Sequence, residues 1–149
     1  MEEFEELVLY LKKSLNNLST SLIVSKTKIS RSQIYRYQNY KNSTLPNISL
    51  NNFIKLFSGM KLTYKTLFFD GYYSEYDKKL FSNILKNRIE ELKGTGVKVT
   101  LSNLKDSHFI KYILNGERGI SLETFILICN ELHLDYITTL KQVIKKEME

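Results

Sequence analysis

Residues 18–41 have the sequence LSTSLIVSKTKISRSQIYRYQNYK, and this stretch decides the fold of the chain. Its pattern predicts a short helix over residues 19–26 and, after a turn, a second helix over residues 31–40 that Ser30 can cap. On the second helix Ile34 and Tyr37 face inward, whereas Arg31, Ser32, Tyr35, Arg36 and Asn39 face outward. The stretch therefore predicts two short consecutive helices, the second with a polar and basic outer face.

The residues on either side of this stretch also have helical patterns. We expect a first helix over residues 2–16 and a fourth helix that Ser49 can cap. A polar loop over residues 41–47, which contains the only proline, separates the third helix from the fourth. The apolar positions are Phe4, Leu7, Val8, Leu11 and Leu15 in the first helix and Leu50, Phe53, Ile54, Phe57 and Met60 in the fourth. No segment of this half alternates as a strand does, so we expect an all-α fold.

The second half of the chain begins at residues 70–73, which contain a helix-breaking glycine. We expect a helix over residues 75–93, which Ser74 and Asp77 are placed to begin, and further helices capped by Asp106 and Ser121. Residues 97–104 fit either a short strand or a helical turn, and that choice stays open. The second half is therefore also expected to be mainly helical.

The two halves repeat one apolar pattern. When Ser49 is aligned with Ser121, Leu50, Phe53, Ile54, Leu56, Met60, Leu62, Tyr64 and Thr66 fall on Leu122, Phe125, Ile126, Ile128, Leu132, Leu134, Tyr136 and Thr138. When Ser30 is aligned with Asp106, Ile34, Tyr37 and Asn39 fall on Ile110, Ile113 and Asn115. Because the matches concentrate at apolar positions, we expect one core template used twice, in tandem domains over residues 1–69 and 74–149.

The net positive charge of the chain comes entirely from its first half. Ten basic and four acidic residues give residues 1–69 a net charge of +6, and no Asp or Glu lies between Glu6 and Asp70. Residues 70–149 hold twelve basic and twelve acidic residues, so their net charge is zero. An acid-free basic stretch is typical of a surface that binds a polyanion, although a solvated face would have the same composition.

The overall composition excludes several protein classes. With 149 residues, 42% hydrophobic residues, six glycines and one cysteine, the chain is not collagen, a disulfide scaffold or a disordered protein. No apolar run approaches the ~18 residues that a spanning helix needs, and the start of the chain is acidic, unlike a signal peptide. We expect a soluble, cytoplasmic protein that does not enter a membrane.

Residues 18–41, with residues 45–50 and 53–56, resemble the helix-turn-helix domain of phage repressors of the lambda Cro/CI type. Residues 106–116 and 121–134 match the third and fourth helices of the same family. The resemblance implies two tandem bundles of four or five helices, of which the second is a degenerate repressor-like copy.

The resemblance further implies that the third helix enters the major groove of DNA and that its outward side chains reach base edges. The family's base-reading positions hold Arg31, Ser32, Gln33, Tyr35 and Arg36, its phosphate-contacting positions hold Thr20, Lys41 and Asn42, and Lys26 and Lys28 add unspecific attraction. Arginine can pair with guanine and glutamine with adenine, each contact contributing about 1–3 kcal/mol of discrimination. Lys28 and Tyr40 replace glycines that are usual in the family, so Lys28 is expected in a left-handed or altered turn.

The second copy lacks most of these basic residues at the equivalent positions. Its equivalent helix begins with Asp106 and places His108, Phe109 and Tyr112 on the outward side. These residues favour a protein interface over DNA binding, unless they fill the core of their own domain. Asp106 would also repel a phosphate.

No arrangement typical of an enzyme or a metal site stands out. Cys129 and His133 have the spacing of half a metal site, but no second pair exists and Cys129 aligns with apolar Phe57, so a core role is favoured. No nucleophile with its base and no glycine-rich phosphate loop is present in the sequence. We therefore expect neither catalysis nor a cofactor.

These observations lead us to expect a sequence-specific transcriptional regulator, a repressor of phage or mobile-element type. It would bind pseudo-palindromic double-stranded DNA as a homodimer, with a C-terminal domain that dimerises or binds a protein partner. Two alternatives stay open. Some phage anti-CRISPR proteins are similar in plan, with an autoregulatory helix-turn-helix domain joined to a domain that inhibits a nuclease. The chain could also be a monomer that reads two adjacent half-sites, although Asp106 counts against this.

Overall fold

The computed structural model describes residues 2–40, 46–96 and 119–144, which form a mostly helical fold. The first four helices are α1 Glu2–Leu15, α2 Thr20–Thr27, α3 Arg31–Asn39 and α4 Leu50–Gly59. A hairpin of β1 Thr63–Tyr64 and β2 Leu67–Phe68 follows, and then α5 Lys78–Gly94, α6 Leu122–Glu131 and α7 Tyr136–Val143. The predicted helical class is confirmed at this level.

A polar side chain starts each helix from α2 to α7. The capping residues are Ser19, Ser30, Ser49, Asp77, Ser121 and Asp135, and each accepts the N–H three residues further on at 3.0 to 3.4 Å. Such caps satisfy N–H groups that have no partner within the helix. The predicted caps at Ser30, Ser49 and Ser121 are therefore confirmed, and the start of each helix is a local property of the sequence.

The hairpin and α7 are described elements that the sequence analysis did not predict. Thr63 pairs with Phe68, and Tyr64 pairs with Leu67. Lys65 has a φ of 53°, a left-handed conformation that helps the chain reverse within two residues. Strands of two residues are too short to show alternation, which is why no strand was expected here.

Apolar side chains from both halves belong to one buried cluster. All five apolar residues predicted for the first helix are buried, and α1 packs against both α3 and α6. The ring centroids of Phe53 and Phe57 lie 4.5 Å apart, and those of Phe81 and Phe125 lie 5.1 Å apart. Helix α7 packs against β2 and α5. The core is thus continuous across the predicted boundary at residues 70–73.

The start of α5 differs from the prediction. The helix begins at Lys78, three residues after the expected residue 75, and of the two predicted starting residues it is Asp77, not Ser74, that caps it. The N–H of Asp77 also donates to Val143 C=O at 2.6 Å, next to a bridge between Tyr76 and Ile144. A tertiary contact with the end of α7 therefore holds residues 76 and 77 outside the helix.

The internal repeat has the same local structure in residues 48–62 and 120–134. Ser49 caps α4 just as Ser121 caps α6. A backbone hydrogen bond between positions five apart closes the last turn of each helix: Leu62 N–H donates to Phe57 C=O at 3.0 Å, and Leu134 N–H donates to Cys129 C=O at 2.8 Å. These atoms occupy equivalent positions when Ser49 is aligned with Ser121, so the predicted repeat extends to the backbone.

The structural equivalence of the two repeats extends to one left-handed residue after α4 and α6 and ends beyond it. Lys61 and His133 are equivalent residues, and both are left-handed with a φ of 53°. Beyond this turn β1 follows in the first copy and α7 in the second. The predicted matches of Tyr64 with Tyr136 and of Thr66 with Thr138 join residues of different secondary structure, so they are not structurally equivalent.

The two copies meet at equivalent residues. Ser49 and Ser121 form an antiparallel bridge. Leu50 N–H donates to Ile120 C=O at 2.9 Å, and Leu122 N–H donates to Ile48 C=O at 2.8 Å. Each hydrogen bond is the counterpart of the other when the two repeats are aligned. The contact between the copies therefore has a local two-fold symmetry.

Within residues 2–40, 46–96 and 119–144, every helix is too short or too polar to cross a bilayer.

The close approach of α4 to α2 makes Gly59 sensitive to substitution. A Cβ atom at this position would lie 2.6 Å from the backbone oxygen of Lys26, so one of the helices would have to move. Gly59→Ala is therefore expected to lower the free energy of unfolding by about 1–3 kcal/mol, measured by urea denaturation. Gly94→Ala is the matched control, because no atom lies within 4 Å of its Cβ position. Equal effects of the two substitutions would contradict this packing.

Candidate nucleic-acid interface

Three residues, Lys28 to Ser30, connect α2 to α3. Lys28 has φ 60° and ψ 22°, and its N–H donates to Val24 C=O at 2.8 Å, which ends α2. The expected left-handed turn at Lys28 is thus confirmed. Tyr40, the other departure from glycine, is extended instead, with φ −71° and ψ 152°.

Thr27 fixes this turn from inside the protein. Its buried hydroxyl donates to Ile23 C=O at 2.7 Å and accepts the N–H of Ile29 at 3.3 Å. The side chain of Ile29 is itself buried. The left-handed Lys28 lies between Thr27 and Ile29, and these two anchors hold α3 at a fixed position relative to α2.

The inward face of α3 is packed as predicted. Ile34 and Tyr37 are both buried. The Tyr37 hydroxyl accepts a hydrogen bond from Asn52 Nδ2 at 3.0 Å, which connects α3 to α4. Burial raises the pKa of Tyr37, so its hydroxyl is neutral at physiological pH.

A buried glutamine holds the other end of α3, and the sequence analysis missed it. Gln38 Nε2 donates to Leu15 C=O at 2.9 Å and to Leu18 C=O at 3.1 Å. Its Oε1 accepts the hydroxyl hydrogen of Thr20 at 3.0 Å. The only signal was its spacing of four positions from Ile34, which puts it on the inward stripe. Gln38 thereby connects α3 to the loop after α1 and to the start of α2.

The predicted outward face of α3 is largely accessible to solvent. Arg31, Ser32, Tyr35 and Arg36 are exposed. Tyr35 is 62% exposed, a high value for a large aromatic side chain. These four residues form the outer surface of α3, and their types can donate hydrogen bonds and contact apolar groups.

Gln33 is less available than predicted. It is half-buried, and its Oε1 accepts hydrogen bonds from Ser30 Oγ at 3.1 Å and from Asn52 Nδ2 at 3.4 Å. A bidentate contact with adenine needs the amide oxygen as well as the amide nitrogen. In this conformation the oxygen is already engaged, so Gln33 is the weakest of the five predicted base-reading residues.

Two predicted contacts, Arg31 and Thr20, also have partners within the protein. Arg31 Nη2 donates to Ser21 Oγ at 2.8 Å, which connects the exposed surfaces of α2 and α3. The hydroxyl hydrogen of Thr20 is engaged with Gln38, so a contact with phosphate through this hydroxyl would require that bond to break. Arg31 keeps further donors, because a guanidinium has five.

Lys26 and Lys28 are exposed at the turn and border a cleft of about 600 Å³. Lys61, Phe68 and Tyr72 also line it, and so does Asp70, the first carboxylate after the acid-free stretch. Lysines at the ends of α2 and α4 complement the negative ends of these helices, which explains their positions without a ligand. The predicted residues Lys41, Asn42, His108, Phe109 and Tyr112 lie outside the described residues.

The electrostatic character of α2 and α3 follows from the sequence around them. Neither helix contains an Asp or Glu, and none occurs from residue 7 to residue 69. The cations of both helices thus lack any carboxylate within their own segment. Their surface is expected to attract polyanions, and more strongly at low ionic strength.

In the described part of the chain, Cys129 and His133 are not arranged as half of a metal site. Cys129 is fully buried, and burial raises the pKa of its thiol to about 12. His133 is exposed at the left-handed turn after α6. No group of three or more potential ligands comes together among the described residues. The core role favoured for Cys129 agrees with its burial.

No family model, curated protein or solved structure matches the chain. The function of α2 and α3 is therefore inferred from their own geometry and charge. The relevant features are a helix held rigidly on its inner face and a polar, basic outer face without carboxylates.

Lys28→Gly is expected to stabilise the fold and to weaken polyanion binding. Glycine removes the Cβ strain of the left-handed turn, which should raise the free energy of unfolding by roughly 0.5–1 kcal/mol after the entropy of the unfolded chain is included. The loss of one cation should reduce the slope of log K against log salt by about 1 for binding to duplex DNA.

Lys65→Gly is the matched control, since Lys65 is also left-handed, with a φ of 53°, but lies in the hairpin. It should give a comparable gain in stability with an unchanged salt slope. The role of Lys28 in binding would be contradicted if both variants changed the slope equally.

Gln38→Leu tests whether the buried amide holds α3 in place. The substitution keeps the approximate volume but removes the amide donor of Leu18 C=O and the acceptor of the Thr20 hydroxyl, while Leu15 C=O keeps the N–H of Leu18 at 3.2 Å. The free energy of unfolding should therefore fall by about 1–3 kcal/mol. Gln142→Leu changes an exposed residue of α7 in the same way and should have little effect. Chemical denaturation of both variants gives the comparison, and an unaffected Gln38→Leu protein would contradict the anchoring role.

Proposed function

We propose that the chain is a sequence-specific DNA-binding transcriptional regulator of the lambda Cro/CI type, which reads double-stranded DNA with α3. The observation that carries this proposal is the two-sided character of α3. Ile34, Tyr37 and Gln38 fix its inner face, while its outer face is exposed and basic. A reading helix needs this combination, because side chains can discriminate bases only from a backbone whose position is fixed.

The dimensions of α3 suit the major groove. The nine residues give a helix about 13 Å long, and an α-helix with its side chains is about 10–12 Å across. The major groove of B-form DNA is about 12 Å wide and admits a helix with its side chains. In this arrangement Arg31 and Arg36 are the candidates for guanine, Ser32 for either donor or acceptor, and Tyr35 for apolar contact with a thymine methyl group.

The charge distribution supplies the attraction that brings α3 to DNA. Residues 1–69 have a net charge of +6, and α2, α3 and the turn between them contribute Lys26, Lys28, Arg31 and Arg36 to it. Phosphate contacts by such residues supply most of the non-specific affinity and orient the protein on the duplex. We place Lys26 and Lys28 among the phosphate contacts, with the protein acting in the cytoplasm as a repressor.

The second half supports the first in this proposal. It has no net charge and repeats the structure of residues 48–62 in residues 120–134. We assign it to a degenerate repressor-like unit, in keeping with the two tandem helical domains expected from the sequence. Its contribution to DNA binding is then to stabilise the unit that carries α3.

Binding to selected DNA tests the proposal directly. Duplexes enriched by the wild-type chain from a random library are compared with unselected duplex over a salt series. The double variant Arg31→Ala/Arg36→Ala should lose the preference for selected DNA by about tenfold or more, since each base contact contributes about 1–3 kcal/mol. Its salt dependence should also become shallower.

The matched control is Lys79→Ala/Lys86→Ala, which removes two exposed cations from α5 and changes the net charge equally. This variant should keep the preference for selected DNA. Because Arg31 also donates a hydrogen bond to Ser21, its substitution could affect the fold, and circular dichroism of both variants checks that the helical content is kept. If no sequence is enriched, or if both double variants behave alike, α3 is not the reading helix and the nuclease-inhibitor alternative becomes the one to test.

A further inference from the structure

The contact between the two repeats has the geometry of a symmetric dimer interface inside one chain. In a two-fold interface, residue i of one copy contacts residue j of the other and j contacts i, and residues on the axis meet their own counterparts. Ser49 meets Ser121, its counterpart in the second repeat. The flanking hydrogen bonds are reciprocal: Leu50 N–H to Ile120 C=O, and Leu122 N–H to Ile48 C=O.

The backbone and the apolar residues beside the axis of this internal pair are unavailable to a second chain, whereas Ser49 on the axis is exposed and Ser121 is half-buried. Leu50 and Leu122, which flank the bridge, have no exposed surface, and the same is true of the equivalent residues Phe53 and Phe125. The backbone groups of Leu50 and Leu122 that a partner chain would need are already bonded within the chain. The surface that a single repeat would offer to another copy is therefore occupied by the second repeat.

Contacts further from the axis also join the two halves of the chain. The N–H of Tyr76 donates to Asn51 Oδ1 at 3.2 Å, at the start of α4. The rings of Tyr76, Phe81 and Phe125 follow one another at centroid distances of 6.1 and 5.1 Å. Helix α1 packs against α6, and α4 packs against α6 as well. The second half thus covers α1 and α4 of the first half, and it leaves the outer surface of α3 exposed.

The two members of the internal pair differ in charge. The repeat that contains α3 belongs to a segment with a net charge of +6, whereas residues 70–149 have none. Because DNA affinity depends on neutralised phosphates, the two sides of the internal pair must differ in affinity for DNA. A homodimer would present two identical basic surfaces, but one chain presents a single one.

We propose that a single chain is the DNA-binding unit and that its target is a duplex site without two-fold symmetry. The inference rests on the proposed function and replaces the homodimer that the sequence analysis expected. The internal pair supplies the packing that a second copy would otherwise supply, while α3 alone reads the bases. The bound sequence is then one uninterrupted site of the length that one helix covers, without an inverted repeat.

Native mass spectrometry of the full chain, alone and with a selected duplex, tests the stoichiometry. The free protein should have the mass of one chain, 17.5 kDa, and the complex should contain one chain and one duplex. The enriched sequences themselves should lack an inverted repeat. Two chains on the shortest duplex that retains preference, or enrichment of an inverted repeat, would overturn the inference and leave the regulator function intact.

A mixing experiment provides an independent readout. A tenfold excess of the Arg31→Ala/Arg36→Ala protein is added to the wild-type protein before titration with the selected duplex. If each chain binds alone, the affinity of the wild-type protein for the duplex should not change. If the protein bound as a dimer that exchanges subunits, the excess variant would convert wild-type dimers into mixed dimers and deplete the active species. Depletion would overturn the inference. Absence of any preference for selected over unselected duplex would overturn the proposed function itself and the inference with it.

Discussion

The pairing of residues 48–50 with residues 120–122 is the constraint on which the rest of the structure depends. These residues immediately precede α4 and α6 or begin them, so two reciprocal hydrogen bonds fix the relative position of both helices at their starts. The capping hydroxyls of Ser49 and Ser121 act at the same place, each on its own helix. A short stretch of backbone thereby orients two strongly apolar helices of the core and allows both halves to share one buried cluster.

The position of α3 depends on this core through polar side chains. Asn52 on α4 bonds Tyr37, and Gln38 bonds the carbonyls at the end of α1 and the loop after it. Most buried polar groups in proteins are hydrogen-bonded, and each of these bonds also defines one orientation, which apolar packing alone does not. The consequence for function is that the outer face of α3 is presented in one orientation. Thr27 extends the same principle to the turn before α3, where a lysine occupies a left-handed conformation.

Much of this structure could be predicted from the sequence because it is set by local interactions. The serine caps and the apolar faces of α1 and α4 depend on neighbours close in the chain. The left-handed Lys28 was expected from the resemblance, because the family usually has a glycine at that position. The exposed positions of α3 follow from helical spacing in the same way. The repeat could also be recognised, because its apolar positions determine both copies of the local fold. Predictions for Lys41, Asn42, His108, Phe109 and Tyr112 fall outside the described residues and stay predictions.

The remainder of the structure depends on contacts between distant residues, which spacing does not reveal. Gln38 is polar and was not expected to be buried, and the partners that permit its burial are the carbonyls of Leu15 and Leu18 in another part of the chain. Part of the engagement of Gln33 likewise comes from Asn52 on another helix.

The contact between the two halves also joins distant residues, so spacing did not reveal it. The same contact explains how two copies of one repeat can have different roles. Positions such as Ser49/Ser121 and Phe53/Phe125 set the backbone and the shared core, and both copies use them alike. The net positive charge, by contrast, lies wholly in the first half. Since core packing and surface charge reside at different positions, one copy can lose its charge without losing its fold. The copy without net charge then retains the one property that the basic copy requires, a complementary apolar surface against which α1 and α4 can pack.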